Sequence, residues 1–194
     1  MKRIALAALL AAAPLGGFAA AESYTIEPSH TYPSFEASHM GISFWRGKFN
    51  SSAGKVSLDR VARTGAVEIT IDAKSVDFGH DKMNEHARGT DFFNTEKFPA
   101  ITYKGTIIFT GETPSSVDGE LTLLGITKPV KLTITSFTCI PHPFYKKEVC
   151  GADATGAFDR VDFGMDYGAK YGPTLAKLAI QVEALKDIAA GPRD

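Results

Sequence analysis

The sequence predicts an all-β protein, folded as an antiparallel barrel of eight strands with one short helical insertion. Apolar and polar residues alternate with a period of two in several segments, as they do in half-buried strands. Turn residues separate these segments at hairpin spacings, and only residues 86–103 depart from the pattern. A barrel is favoured because closure removes edge strands, although alternation alone leaves a sandwich open.

The chain begins with a predicted signal peptide over residues 1–21. Lys2 and Arg3 precede a short apolar run, and the small residues at positions 19–21 fit cleavage after Ala21. The apolar run is too short for a membrane span and Pro14 interrupts it, so a retained anchor is the less favoured alternative. We therefore expect an exported protein.

Size and charge predict one domain without a charged macromolecular partner. Residues 22–187 have the length of a single domain and contain no linker, and residues 188–194 form a polar tail that we expect to be disordered. The formal net charge is −1, and loss of Lys2 and Arg3 takes it to −3. Because no basic cluster is present, nucleic acid and anionic membrane surfaces are poor candidates.

Two cysteines, Cys139 and Cys150, bracket a short segment late in the chain. In an exported protein this spacing predicts a disulfide, and a pair of free thiols is the alternative. Closing a loop of this size contributes about 3 kcal/mol in the chain-entropy account.

The strand segments follow one another from the N-terminus. Residues 39–49 are rich in aromatics and glycines, which are typical of a strongly curved sheet. In residues 66–72, alternation places Val67, Ile69 and Ile71 on one face of a strand. In a later strand it places Ile101, Tyr103, Ile107 and Phe109 on one face. A turn at residues 125–129 makes its two flanking strands a hairpin. The predicted strands are, in order, residues 24–26, 32–35, 56–58, 66–72, 101–110, 117–124, 130–137, 152–158 and 175–184.

The helical insertion is the segment around which the barrel is organised. Residues 83–88 contain no Pro or Gly, follow Asp81 as a candidate cap and precede Gly89 as a stop. Phe92 and Phe93 come next, and one strand face cannot bury both. We expect this segment to form a plug or lid over the mouth of the barrel.

A set of motifs runs in order through nearly the whole mature chain: Tyr24-Thr25-Ile26-Glu27-Pro28-Ser29-His30, His39, Gly47-Lys48-Phe49, Asp91-Phe92-Phe93, Phe98-Pro99, Gly119-Glu120-Leu121-Thr122-Leu123-Leu124-Gly125-Ile126-Thr127-Lys128-Pro129-Val130 and Arg160-Val161-Asp162-Phe163-Gly164. Together these motifs resemble the YceI-like family. The chain departs from the family pattern at Glu27, where Asp is usual, and in the cysteine loop, which only some members have.

The resemblance implies an exported, periplasmic bacterial protein with a lipocalin-like eight-stranded barrel. Such a barrel holds a long amphiphile in its interior, for carriage, storage or sequestration. The implied ligand is an isoprenoid quinone, a polyprenyl lipid or a fatty-acid-like molecule, and no cofactor is required. The implied partners are inner-membrane quinone or lipid enzymes in transient contact, and the chain is a monomer or a homodimer.

The aromatic residues are ambiguous by themselves. The 13 Phe, 6 Tyr and single Trp residues can fill a solid core as readily as they line a ligand tunnel. The resemblance favours the tunnel. The residues expected to line it are Phe35, Phe44, Ile69, Phe92, Phe93, Phe98, Phe109, Leu121, Leu123, Leu132 and Phe163.

Polar contacts to a ligand headgroup are expected from His30, His39 and Arg88. For Arg88 and Arg160 the alternative is a salt bridge, since Asp91 and Asp162 follow them closely in sequence.

Histidine chemistry supplies the alternative function, a periplasmic enzyme acting on a small apolar substrate. The five histidines lack the spacing of a zinc-protease motif, and no Cys/His cluster occurs. Ser29 or Ser38 could serve as a nucleophile with Asp91, but no Gly-x-Ser-x-Gly elbow is present. We therefore expect neither a metal site nor catalytic residues.

Overall fold

The computed structural model describes residues 21–188, which form eleven β-strands and one α-helix, α1, over Asp81–Arg88. Apart from Ala21 and Ile188, the predicted signal peptide and tail lie outside the described residues. The strands are β1 Glu22–Ile26, β2 Tyr32–His39, β3 Ser43–Phe49, β4 Ser52–Asp59, β5 Thr64–Asp72, β6 Val76–Asp77, β7 Ala100–Thr110, β8 Thr113–Leu123, β9 Ile126–Pro141, β10 Glu148–Asp159 and β11 Leu175–Lys186.

Eight of these strands close into a ring. The order is β1-β4-β5-β7-β8-β9-β10-β11, all neighbours are antiparallel, and β11 returns to β1 with Leu185 opposite Thr25. The predicted eight-stranded antiparallel barrel is confirmed, and the sandwich alternative is wrong.

The other three strands extend one end of the wall. Strand β2 pairs with the first half of β11, where Ala37 lies opposite Ala176, then β3 pairs with β2 and β6 with β3. One edge of β11 is therefore shared by β1 and β2, which follow each other along the chain after a short bend.

The bend between β1 and β2 is held by a buried carboxylate. Glu27 Oε1 accepts hydrogen bonds from Ser29 N and Oγ, at 3.2 and 2.5 Å, and its Oε2 lies 2.5 Å from His30 Nδ1. Burial opposes ionisation of Glu27, but these hydrogen bonds outweigh it and lower the pKa of the carboxyl. His30 thus stabilises the bend and does not line the interior, so the prediction that it contacts a headgroup is wrong.

The two ends of the barrel differ. The upper end carries α1 with residues 89–99, the β2–β3 and β8–β9 turns, and the β10–β11 loop of residues 160–174. The lower end carries the start of β1, the end of β11 and the β4–β5, β7–β8 and β9–β10 turns.

A polar network closes the lower end. The Tyr24 hydroxyl, on a side chain 1% exposed, lies 2.6 Å from Glu148 Oε1 and 2.8 Å from Glu22 Oε2. Arg60 Nη2 donates to the same two oxygens at 3.0 and 2.9 Å, and Lys186 pairs with both carboxylates. Burial and the two acceptors raise the pKa of Tyr24, so the phenol is neutral and remains a donor.

The disulfide lies beside this end of the barrel. Cys139 of β9 and Cys150 of β10 face each other in register and are bonded, as the sequence predicts. The bond therefore ties the two strands together next to the β9–β10 turn.

Hydrogen bonds from neighbouring residues cap both ends of helix α1. His80 Nδ1 accepts from Met83 N at 3.2 Å, so His80 is the cap and the prediction that Asp81 caps the helix is wrong. Gly89 ends the helix as predicted, with its N–H donating to His86 O at 3.0 Å.

The predicted hairpin of β8 and β9 is confirmed. Leu124 and Gly125 have φ values of 52° and 75°, as a two-residue type I′ turn requires. Phe98 packs directly against this turn, since a Cβ on Gly125 would lie 3.0 Å from its ring.

Candidate functional site

An apolar cavity of about 920 Å³ fills the interior of the barrel. All eight ring strands contribute to its wall, because alternate residues of each strand point inward. In β5, for example, Val67, Ile69 and Ile71 line the cavity together, on the single face that their alternation predicts. At the upper end, side chains of α1 and the β10–β11 loop complete the wall.

The wall contains most of the residues that the sequence singles out for it. Strand parity correctly separates inward from outward positions for the aliphatic members, and the segment after α1 reaches the cavity as expected. The predicted residues found on the wall are Phe35, His39, Ile69, Phe92, Phe93, Leu121, Leu123 and Leu132.

Phe93 belongs both to the core and to the wall. Its side chain is 8% exposed, and its ring centroid lies 5.3 Å from that of Phe49 and 5.9 Å from that of Phe35. The two interpretations of the aromatic set therefore combine here, since Phe93 packs against other aromatics and also lines the cavity.

Phe44 does not line the cavity. It points outward from β3 and is 51% exposed, with Lys177 Nζ 5.4 Å from its ring centroid. Its neighbour Trp45 takes the inward position, 6.0 Å from the ring centroid of Phe78, and both of these aromatics line the wall.

Three further phenylalanines also lie off the wall. Phe98 covers the β8–β9 turn, as described above. Phe109 keeps the inward parity of Ile107 and packs against the core, but it is not among the residues that line the cavity. Phe163 is 1% exposed and packs edge-on against Phe158 at 5.1 Å, and it is Phe158 that reaches the cavity.

Arg88 does not line the cavity. Its Nε donates to Lys74 O at 2.9 Å and its Nη2 to Val76 O at 3.4 Å, so it fastens α1 to the strand before it. The salt bridge to Asp91 is absent as well, because Asp91 Oδ2 pairs with His86 Nε2 at 3.3 Å.

Three rings form one side of the mouth, by which we mean the opening of the cavity at the upper end. The ring centroid of His86 lies 5.0 Å from that of Phe92 and 5.5 Å from that of Tyr167, and the latter two are 5.5 Å apart. The predicted lid is thus a joint structure of α1, the segment after it and the β10–β11 loop.

Sequence reasoning missed Tyr167, Lys170 and the cavity position of Arg160. The alternative for Arg160, a salt bridge to Asp162, does not form: Asp162 Oδ1 lies 3.9 Å from Lys128 Nζ, and Arg160 Nη1 donates to Met165 O. All three missed residues lie in or next to the β10–β11 loop, where no alternation indicates a direction.

The hydroxyls of Tyr24 and Tyr103, which line the barrel part of the wall, are already occupied. The Tyr103 hydroxyl donates to Val130 O at 2.8 Å, and burial raises the pKa of this phenol. Tyr24 is engaged at the lower end. The middle of the cavity therefore presents an apolar surface.

The histidines are dispersed among structural contacts. His30 and His80 stabilise a bend and a helix start, and His142 Nδ1 accepts from Phe144 N at 3.3 Å. Within residues 21–188, no three His, Cys, Asp or Glu side chains group as a metal site would require. No helix in that part of the chain has the length and apolar character needed to cross a membrane.

A closed antiparallel barrel with an apolar internal cavity defines the class of cavity-containing barrels to which the lipocalins belong. Within that class, this chain belongs to the YceI-like family, because the model of the YceI-like domain matches residues 24–184. The resemblance seen in the motifs is thereby confirmed.

Relatives and solved structures agree with this assignment. The UPF0312 protein of Shewanella denitrificans is 36% identical over 196 residues, covering 96% of this chain and 100% of that protein. Burkholderia cenocepacia BcnA superposes with a TM-score of 0.65 at 18% identity, over 81% of this chain and 98% of that one. A polyisoprenoid binding domain from Saccharophagus degradans, implicated in plant cell wall breakdown, superposes with a TM-score of 0.61 at 15% identity, over 86% of this chain and 99% of that one. At these identities the two structures show a shared fold.

Proposed function

We propose that this protein is a periplasmic binding protein that holds a long-chain amphiphile inside its barrel, for carriage, storage or sequestration. The observation that supports this most directly is the apolar cavity of about 920 Å³. Burial of a hydrocarbon tail gains about 0.8 kcal/mol per CH₂ group, so the tail supplies most of the affinity. The description of the Saccharophagus degradans domain as polyisoprenoid-binding supports an isoprenoid or similar tail.

The periplasmic location is part of the proposal. It is supported by the N-terminal leader pattern and by the bond between Cys139 and Cys150, since structural disulfides persist in oxidising compartments. In that compartment, inner-membrane enzymes of quinone or lipid metabolism are the proposed transient partners, with the protein acting as a monomer or a homodimer.

Binding is favoured over catalysis by what the histidines do. His30, His80 and His142 are engaged with nearby backbone or carboxylate groups. His86 pairs with Asp91 among aromatic rings at the mouth. These contacts give these four histidines structural roles, and the fifth, His39, lies on the wall with its ring centroid 6.0 Å from that of Trp45.

A matched pair of substitutions on β9 tests the proposal. Ile134 lines the cavity, whereas Thr133 beside it is exposed on the outer face. Ile134→Trp should weaken binding of a fluorescent fatty acid at least about tenfold, because the indole occupies the volume of the tail. Thr133→Trp should leave binding unchanged. Equal binding by both variants and the wild type, with folding verified by circular dichroism, would place the ligand outside the barrel and refute the proposal.

A further inference from the structure

The charges on the cavity wall have one sign. Among the described residues, those that line the wall include the permanent cations Arg160 and Lys170 and no aspartate or glutamate. Both cations belong to the β10–β11 loop, at the mouth. Apolar sides suit a hydrocarbon tail, and cations at the opening suit an anionic headgroup better than a neutral one.

Arg160 has no carboxylate partner among the described residues. Asp159 accepts from Val161 N and Thr174 Oγ1 at 3.2 and 2.9 Å, and Asp162 faces Lys128. Partial burial lowers the pKa of Arg160, while the charges of Asp159 and Asp166 oppose this effect without contact.

A half-buried guanidinium normally has several hydrogen-bond partners. Arg160 has five N–H donors and stays charged at neutral pH, yet its one side-chain hydrogen bond within the described protein is from Nη1 to Met165 O. A planar fork of this kind matches the oxygens of a carboxylate or a phosphate. Arg160 therefore brings donors without a protein partner to the cavity wall.

Lys170 supplies a second, more mobile charge. Its Nζ lies 4.9 Å from the ring centroid of Tyr171, and the side chain is exposed at the rim. His86, also at the mouth, already faces Asp91. Arg160 and Lys170 are therefore the charged groups of the wall that a headgroup can neutralise.

We propose that the ligand is an anionic amphiphile whose carboxylate or phosphate headgroup binds Arg160 and Lys170 at the mouth while its tail fills the barrel. This inference rests on the proposed function and narrows it. Neutral quinones and polyprenols should bind more weakly than fatty acids or prenyl phosphates with tails of the same length.

Tail-matched probes test the headgroup separately from the tail. Oleate against methyl oleate examines a carboxylate, and geranylgeranyl phosphate against geranylgeraniol examines a phosphate. The wild type should bind each anion at least about tenfold more tightly than its neutral partner at pH 7.5, as charge-assisted hydrogen bonds provide. A preference within only one pair identifies which of the two headgroups is the ligand chemistry.

The variants are scored by the ratio of anion to neutral affinity, which is insensitive to a general loss of folded protein. Arg160→Gln should bring this ratio close to one, and Lys170→Gln should reduce it severalfold. Arg46→Gln is the control, because Arg46 is 72% exposed in its side chain, pairs with Glu36 and lies off the wall. A ratio that Arg160→Gln and Lys170→Gln leave at the wild-type value would overturn the inference.

Two wild-type outcomes separate this inference from the proposed function. Equal binding of anionic and neutral partners refutes the anionic headgroup and leaves the lipid-binding barrel intact. Binding of none of the four probes contradicts both.

Discussion

The rings of Phe92 and Tyr167 lie 5.5 Å apart at the mouth of the barrel. They join the segment after α1 to the β10–β11 loop, two parts of the chain that are distant in sequence. Tyr167 is 50% exposed, so this contact has little burial of its own to stabilise it. A weak aromatic contact at this place is suited to opening for a ligand.

Loss of the contact should therefore speed ligand exchange. Tyr167→Ala removes one ring from the mouth while leaving the barrel core in place, and we expect faster transfer of a bound fluorescent fatty acid to vesicles with little change in melting temperature. Phe144→Ala is the matched control, because Phe144 is 87% exposed in the β9–β10 turn at the lower end. An exchange rate identical in both variants would show that the mouth does not limit release.

Phe93 should contribute to stability and to ligand retention together. Phe93→Ala removes a buried ring that packs on Phe35 and Phe49 and should cost about 3–5 kcal/mol of unfolding free energy, measured by urea denaturation. It should also weaken ligand binding, because the wall loses apolar surface. Phe98→Ala, at a partly buried site off the wall, should lower stability less and leave affinity unchanged.

The lower-end network makes stability depend on acid pH. A side-chain hydrogen bond from Lys186 is the largest cause that lowers the pKa of Glu22 to about 2, and bonds from Tyr24 and Arg60 lower that of Glu148 against the effect of burial. Both carboxylates ionise more easily in the folded than in the unfolded chain, so their stabilisation is complete above about pH 4.5 and is lost as the pH falls toward 2.

Melting temperatures between pH 6 and pH 2 measure this dependence. Glu148→Gln should lower the melting temperature at pH 6 and flatten its fall toward pH 2. Glu68→Gln removes an equal charge from an exposed pair with Lys104 and should leave the profile unchanged. Equal pH profiles for Glu148→Gln and the wild type would show that the network does not couple to folding.

The disulfide should stabilise the barrel through the unfolded state. The double substitution Cys139→Ser and Cys150→Ser should lower the unfolding free energy by about 3 kcal/mol, since the bond closes a short loop. In the untreated wild type, thiol labelling should detect no free sulfhydryl. Stoichiometric labelling of both sulfurs without reductant would contradict a bonded pair.

Strand positions could be read from the sequence where one face of a strand is apolar and the other polar. In β5 the parity of Val67, Ile69 and Ile71 identifies the wall directly. In β3 it could not, because Phe44 and Trp45 are adjacent aromatics on opposite faces. In β7 Phe109 keeps the parity of Ile107 and still lies off the wall, because alternation gives the face of a residue and not the extent of the cavity along the strand.

The mouth was harder to predict for a different reason. Arg160, Tyr167 and Lys170 lie in or next to a loop whose side-chain directions follow from tertiary contacts, such as the hydrogen bond from Arg160 to Met165 O. Sequence proximity suggested ion pairs of Arg88 with Asp91 and of Arg160 with Asp162. In the folded chain both arginines donate to backbone carbonyls instead.

Native mass spectrometry of the mature protein, purified from a bacterial envelope, tests the central claim most directly. We predict a population whose mass exceeds that of the polypeptide by one amphiphile, which organic extraction releases and the Ile134→Trp variant lacks. A wild-type protein that has only the polypeptide mass, and remains empty after incubation with fatty acids, prenyl phosphates, polyprenols and quinones, would contradict the account.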